Sequence, residues 1–441
     1  MLNRLRDALE RRLPPGAPLC IAWSGGRDST VLLHAAAAVA GDRPLRALHV
    51  DHGLQPEAAG WARHCEEVAA ELGVDLRLRS VRVAAADPAG REAAARRARY
   101  RAFAEELGAG EALLTAHHLD DQHETVLLRL LRGAGPDGLA GIRELSRFGR
   151  GWLLRPLLGC SRRCLADYAA AAGLRWIEDP SNADLGPDRN YLRHEVIPRL
   201  RARWPSAAQT AARAAGFCAE ATALLDCWAD GQLATLARGD SLSLHGLAAL
   251  EEPQQRLLLR RFLRARGVRP PGEARLRDAL RQFVGARPDA APVLDWADGQ
   301  LRRYRGRVYL LRERPGAVPA PSDWDGRRPL ELGGLAGTLA LRAAPAGGLD
   351  RRWLDGGLQV RFRRGGERIR PAGARQHRRL KSLLQEVGVL PWMRARLPLL
   401  YAGEQLLAVA GLWLAADALA PPGEAGFAPD WRPRVDYLAA D

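Results

Sequence analysis

The chain has 441 residues, 47% hydrophobic and 27% charged, with a net charge of +15. That length allows two or three domains with cores of their own, and the composition fits a soluble globular protein; no run is long and apolar enough to span a bilayer. The excess of base over acid directs attention to a polyanionic partner. Lys381 is the only lysine. A GC-biased genome accounts for arginine over lysine but not for the excess. Six scattered cysteines (Cys20, Cys65, Cys160, Cys164, Cys218 and Cys227) and a start too polar for a secretory signal predict reduced thiols and a cytoplasmic location. Cys160 and Cys164 are spaced like a ligand pair, but no second pair completes a zinc site.

From the N-terminus, Met1 to Arg6 begins an amphipathic segment. Between 19 and about 131, apolar runs at 19–23, 45–50, 75–83 and 112–116 alternate with helical patterns at 29–40, 57–72, 90–107 and 120–131. That alternation predicts an α/β fold with a doubly wound, mostly parallel sheet, whose ligands bind beyond the carboxyl ends of the strands. Ser24, Asp51-His52-Gly53 and His117-His118 all fall at such ends.

The first strand runs into Ser24-Gly25-Gly26-Arg27-Asp28-Ser29-Thr30 and then a helix. Paired glycines let backbone N–H groups approach an anion, the helix N-terminus adds donors and partial positive charge, and the hydroxyls add more. An ordinary βα turn is the plain alternative. A Walker A loop needs a lysine that is missing here. Asp28 beside phosphates is repulsive unless a cation intervenes, which suggests Mg²⁺ bridging to pyrophosphate oxygens. The whole string resembles the pyrophosphate loop of the N-type ATP pyrophosphatases.

Further along, His117-His118-Leu119-Asp120-Asp121-Gln122-His123-Glu124 opens a helix. Asp121 and Glu124, at i and i+3, share one face; the plain alternative is a capped helix start, with Asp120 as the cap and acids that suit the dipole. The spacing matches no standard zinc set, so these acids, with His117, are candidates to hold a cation or a substrate amine. Arg132, Gly133 and Gly135 begin a glycine-rich stretch read as a flexible loop that grips substrate. Arg189 and Arg193, at i and i+4, are candidates to clamp phosphates; surface ion pairing is the alternative.

A helix is expected at 162–172, an almost purely helical stretch at 205–285, a hairpin at 299–311, and a Pro/Gly/Asp-rich linker at 315–335. Beyond it, Arg361, Arg363 and their neighbours alternate with apolar residues, as in a strand with one basic face. Arg378 and Arg379 begin a basic amphipathic helix, and Trp392 sits among cations. These features suit phosphate-backbone contacts. A membrane surface is disfavoured, since no lipidation motif or strongly apolar face accompanies the charge.

Taken in order, the blocks resemble the tRNA(Ile)-lysidine synthetase family. The resemblance rests on 24–29, Asp51 to Leu54, Glu92 to Arg96 with Arg99 and Tyr100, 117–125, Arg132 to Gly141, Arg155 to Leu157, Glu178 to Asn182, and Arg189, Asn190 and Arg193. It covers roughly residues 19–200. Gln55, where the family often has arginine, and bulky Trp23 depart from its pattern. The resemblance implies a catalytic domain over 1–204, a mainly helical tRNA-binding domain over 205–314, the linker, and a basic α+β tRNA-binding domain over 336–441. It implies ATP and Mg²⁺ as cofactors, and tRNA(Ile) with a CAU anticodon and free lysine as partners. ATP would adenylate C2 of the wobble cytidine and lysine would displace AMP. Ser24, Gly25, Gly26, Arg27, Asp28 and Ser29 would hold the nucleotide, Arg189 or Arg193 would stabilise the α-phosphate, and Asp121 or Glu124 would take the lysine proton. The choice between those two acids stays open, as does a homodimer. A thiolase of the same superfamily would need a cysteine pair by the 24–29 or 117–124 block, where the sequence places none. A non-catalytic RNA-binding module would gain nothing from the gathered acids.

Overall fold

The computed structural model describes residues 1–51, 53, 58–83, 91–180, 184–287, 290–345 and 347–439, the side chains at 58, 59, 91 and 92 excepted. His52, Leu54, Gln55, Glu92, Ser181 and Asn182, singled out in the sequence, lie outside the described residues or side chains. Two compact units divide the chain, Met1–Leu224 and Leu225–Asp441.

In the first unit α1 (Leu2–Arg12) precedes β1 (Leu19–Ala22), α2 (Arg27–Val39), β2 (Leu45–Asp51), α3 (Ala58–Leu72), β3 (Asp75–Ser80), α4 (Arg91–Glu106), β4 (Ala112–Leu114) and α5 (Leu119–Leu131). Then follow α6 (Pro136–Leu139), β5 (Leu145–Phe148), β6 (Gly151–Leu154), α7 (Arg162–Ala171), α8 (Asp188–Tyr191), a π-helical turn Leu192–Val196, α9 (Ile197–Arg203) and the long α10 (Ala207–Leu236), whose residues past Leu224 belong to the second unit. The six strands lie in the order β3-β2-β1-β4-β6-β5, parallel except for the edge strand β5. Side-chain alternation explains why this sheet is covered on both faces. Leu19 and Ile21 of β1 join α1, α2 and α7 through Leu5, Leu9, Leu32 and Leu165, while Cys20 between them joins Leu48, Leu113 and Phe103 of α4 on the opposite face. The chain leaves β1 toward β2 on one side and later returns to place β4 on the other. The crevice of the switch therefore opens beyond β1 and β4, where the phosphate-like turn and the histidine pair lie.

The second unit is richer in strands than its sequence suggests. The helices Glu252–Ala265 and Glu273–Gly285 bury Leu258, Leu259, Phe262, Leu276, Leu280 and Phe283 against a five-stranded antiparallel sheet. That sheet includes the expected hairpin Gly299–Tyr304/Arg307–Leu311, and also the short strands Ala237–Arg238 and Ser241–Ser243 inside the stretch read as helical. Strands of two or three residues leave too little periodicity to register. The segment read as a linker contributes Ser322–Trp324 and Leu330–Gly333 to two further antiparallel sheets.

The basic strand is interrupted. Leu358–Arg361 ends where Gly365 (φ +106°) and Gly366 (φ +87°) turn the chain, and Glu367 accepts hydrogen bonds from the backbone N–H groups of Arg364 and Gly365 (2.5 and 2.7 Å). Arg378 and Arg379 form a two-residue strand, and the helix begins after them at Leu380. Trp392 is 6% exposed and packs edge-on against Tyr309, with Tyr304 and the Arg302 guanidinium nearby. Arg394 donates to the Tyr304 hydroxyl at 2.8 Å. This aromatic is a joint inside the unit rather than a surface for nucleic acid. Trp392→Ala should cost about 3–5 kcal/mol of stability in denaturant unfolding; unchanged stability with lost RNA affinity would contradict that placement.

Candidate active site

The turn after β1 is locked from inside. Trp23, 1% exposed, donates its indole N–H to Thr30 Oγ1 (3.1 Å), and its carbonyl accepts from His49 Nδ1 (3.0 Å). The Thr30 and Ser29 hydroxyls donate to the Gly26 carbonyl (3.1 and 2.9 Å), and Ile177 N–H donates to that of Gly25 (2.9 Å). With those carbonyls engaged, the first-turn N–H groups of α2 remain as donors for an anion. Gly25 has φ +81°, and a Cβ there would lie 2.5 Å from Ile177 Cδ1. Only glycine fits. The bulky Trp23 is thus a brace for the turn.

Asp28, in the first turn of α2, is held at both oxygens. Arg27 donates to Oδ1 (3.2 Å) and His118 Nε2 lies 3.3 Å from Oδ2. Burial pushes this carboxyl up, but the hydrogen bond from His118 and the charges around it, Arg27 and Arg162 among them, outweigh it and hold the pKa at about 2. The group is ionised at neutral pH.

Across the crevice α5 is capped by His118, not Asp120. His118 Nδ1 accepts from Asp120 N–H (3.2 Å), and Asp121 Oδ2 accepts from His118 N–H (3.0 Å). Asp120 turns away to the backbone N–H of Arg162 (2.8 Å) and to Arg201. Asp121 and Glu124 do share a face. Arg189 bridges them, with Nε 2.7 Å from Glu124 Oε2 and Nη2 3.2 Å from Asp121 Oδ1. Arg193 Nε is 2.7 Å from Glu124 Oε1. The two arginines expected to be available for phosphates are therefore paired with the two acids. Glu124, 1% exposed, is covered by both. Burial pushes the Asp121 carboxyl up, but His118, the Arg189 guanidinium and the hydrogen bond from the His118 backbone N–H outweigh it and draw it below the ordinary range.

One cavity of about 660 Å³ unites these parts. Its walls include Ser24, Gly26, Arg27, Asp28 and Ser29, then Asp51, His117 and Asp121, and on a further side Glu178, Asp179, Arg189 and Arg193. Glu124 is absent from its lining and faces a smaller pocket with Asp120, Arg193 and Arg201. Arg96, Arg99, Tyr100, Arg162 and Trp176, to which the sequence reading gave no site role, also line the main cavity. Arg96 and Tyr100 lie one helical turn apart in contact with each other (3.3 Å), a spacing that carried the family resemblance but no role.

The glycine-rich stretch stands apart from this cavity and is braced. Arg129 donates to the carbonyls of Gly138 and Gly141 (2.6 and 2.8 Å), and Gln122 exchanges hydrogen bonds with the Ile142 backbone. Gly133 takes φ +67°, Gly135 caps α6, and Arg132 pairs with Asp188 (3.2 Å). In the second unit Arg361 pairs with Glu404 (3.1 Å), Arg363 with Glu367 (3.5 Å) and Arg378 with Glu386, while Arg379 is exposed.

Among the described residues no group of three or more His, Cys, Asp or Glu could hold a metal ion. Asp28 alone therefore fits only a cation carried largely by phosphate oxygens, the habit of Mg²⁺. All six cysteines are free. Cys65 comes within 3.2 Å of the Cβ position of Gly25, closer to the turn than the sequence suggests, but burial pushes its thiol up to about 12, so it is a packing residue.

Three family models match the chain: a PP-loop domain over residues 3–200, a TilS substrate binding domain over 242–309 and a TilS substrate C-terminal domain over 358–431. The tRNA(Ile)-lysidine synthase of Alkalilimnicola ehrlichii is 48% identical, covering 93% of each chain. That of Methylococcus capsulatus is 42% identical over 97% of this chain and 99% of its own. That of Escherichia coli O157:H7 is 39% identical over 96% and 98%.

His117 supplies a direct check on the geometry. Burial above all, then Arg155, Arg96 and Arg189, outweigh Asp121 and lower its pKa to about 3. Because the unfolded imidazole takes up its proton near 6.5, this group withdraws stability as the pH falls from 6.5 toward 3. NMR should show a ring that stays neutral between pH 5 and 8; a midpoint near 6.5 would contradict the packing described.

Proposed function

The chain belongs to the tRNA(Ile)-lysidine synthase family, ATP-dependent ligases that form lysidine at the wobble position of tRNA(Ile), and from that premise we propose how its residues divide the reaction. The observation that carries the proposal is the shared cavity, with the phosphate-binding turn on one wall and Asp121 and His117 on another.

In the first step the C2 oxygen of the wobble cytidine attacks the α-phosphorus of ATP and pyrophosphate leaves. Ser24, Gly26 and Ser29 with the α2 N-terminus bind the β- and γ-phosphates. Asp28 faces the same space; Mg²⁺, when bound with the nucleotide, would supply charge neutralisation of the leaving pyrophosphate. Arg189 and Arg193 line the cavity and place cationic charge toward the α-phosphate, while Glu124 keeps them aimed from behind. Glu124 is thereby a positioning residue.

In the second step the ε-amine of free lysine adds to C2, the C2–O bond breaks and AMP leaves carrying that oxygen and the bonding pair. The amine must be neutral to attack, and of the two acids on this face of α5 Asp121 is the one that lines the cavity, so it orients the ammonium and receives its proton. His117, neutral and hydrogen-bonded to Thr115 Oγ1 (2.8 Å), lies beside it without competing charge. The glycine-rich stretch from Arg132 through Gly133 and Gly135 is a braced segment apart from the cavity, not a flexible gripper.

For tRNA, Arg379 offers an exposed contact in the second unit. Arg361, Arg363 and Arg378 exchange a carboxylate for a backbone phosphate when RNA arrives. A tRNA substrate argues for a cytoplasmic enzyme. Asp28→Ala should lower pyrophosphate release from ATP and tRNA by about 100-fold or more while leaving tRNA affinity nearly intact. Equal loss of binding would remove Asp28 from the role given to it.

A further inference from the structure

We infer that His118 is a positioning residue that ties the carboxylate of the phosphate-binding turn to the carboxylate facing the second substrate, an inference that rests on the functional reading above. His118 is 1% exposed, and no step assigned so far uses it. Its ring contacts two elements at once. Nδ1 accepts from Asp120 N–H at 3.2 Å and so carries no proton in this arrangement. The ring proton therefore sits on Nε2, 3.3 Å from Asp28 Oδ2 of α2 and 3.6 Å from Asp121 Oδ2 of α5. The backbone N–H of the same residue donates to that Asp121 oxygen at 3.0 Å.

Asp28 and Asp121 are like charges brought together by folding, and they repel unless a donor lies between them. The Nε2–H group is that donor. Asp28 Oδ1 is taken by Arg27, so the imidazole fixes the remaining freedom of the carboxylate. The facing groups are Asp28, Asp120 and Asp121, with the Arg162 guanidinium also nearby. A carboxylate oriented before the nucleotide arrives needs no rearrangement during adenylation.

The two ring nitrogens can be replaced one at a time in the full chain. In His118→Asn the amide oxygen keeps the place of Nδ1 and the helix cap, but nothing reaches Asp28. In His118→Gln the amide N–H₂ takes the place of Nε2, and the cap is lost. The readouts are melting temperature and single-turnover pyrophosphate release from ATP, with Mg²⁺ and a CAU-anticodon tRNA(Ile) transcript. His118→Asn should melt within about 2 °C of wild type yet release pyrophosphate about 10–100-fold more slowly at saturating ATP, with KM for ATP little changed. His118→Gln should melt about 2–4 °C lower and recover most of the rate. Rates that follow melting temperature in both variants, or a His118→Asn enzyme as fast as wild type, would overturn the inference alone. A wild-type chain that releases no pyrophosphate would overturn the functional reading and this inference with it.

Discussion

Taking a carboxylate out of water costs several kcal/mol unless cations and N–H groups replace the lost hydration, and the first turns of α5 bury two of them and half-bury a third. Asp120 is 8% exposed and Glu124 1%, with Asp121 between them on the cavity wall. Each is compensated by a different part of the chain: Asp120 by the start of α7 and by Arg201 of α9, Asp121 by the His118 backbone and Arg189, Glu124 by Arg189 and Arg193. The segment from 188 to 203 therefore docks on the sheet domain through charge. Buried pairs of this kind are weak evidence of stability, but removing one partner leaves an uncompensated charge, so the arrangement forms as a unit.

That unit gives the site its asymmetry. On one side of the crevice, hydroxyls and an indole turn the carbonyls of the glycine turn inward, and donors are left for an anion. On the other, Asp121 keeps a face toward the cavity while Glu124 is spent on holding arginines. Two acids three residues apart on one helix thus acquire different jobs from what covers them. The helix N-terminus beneath Asp121 favours its ionised form, in keeping with its lowered pKa.

Much of this was legible in the residues. The alternation of apolar runs and helical patterns over 19–131 predicted the parallel sheet, because β1 and β4 are short and fully apolar and helices separate the successive strands. The paired glycines and Asp28 marked the phosphate turn, and the i, i+3 spacing put Asp121 and Glu124 on one face. What the sequence could not carry was long-range pairing. Nothing local says that Arg189 and Arg193 meet Glu124 some 65 residues away, that His118 rather than Asp120 caps α5, or that Arg129 and Gln122 stiffen a glycine-rich stretch. Composition also misled in the second unit. Arginines read as a free basic face are largely paired with glutamates, Arg361 with the distant Glu404 and Arg363 and Arg378 with the nearby Glu367 and Glu386, and Trp392, set among cations, is buried against tyrosines. Short strands such as Ser241–Ser243 fall below the length at which a period can be read.

The central claim is that Asp121 serves the lysine step while Glu124 holds the arginines that serve adenylation. The direct measurement follows pyrophosphate release and transfer of radiolabelled lysine into a CAU-anticodon tRNA(Ile) transcript in the same reaction, for Asp121→Asn and Glu124→Gln beside the wild-type chain. Asp121→Asn should still release pyrophosphate while lysine incorporation falls by about 100-fold or more, and Glu124→Gln should lose both together. Loss of pyrophosphate release in Asp121→Asn, or lysine transfer lost alone in Glu124→Gln, would contradict the division of labour between these two acids.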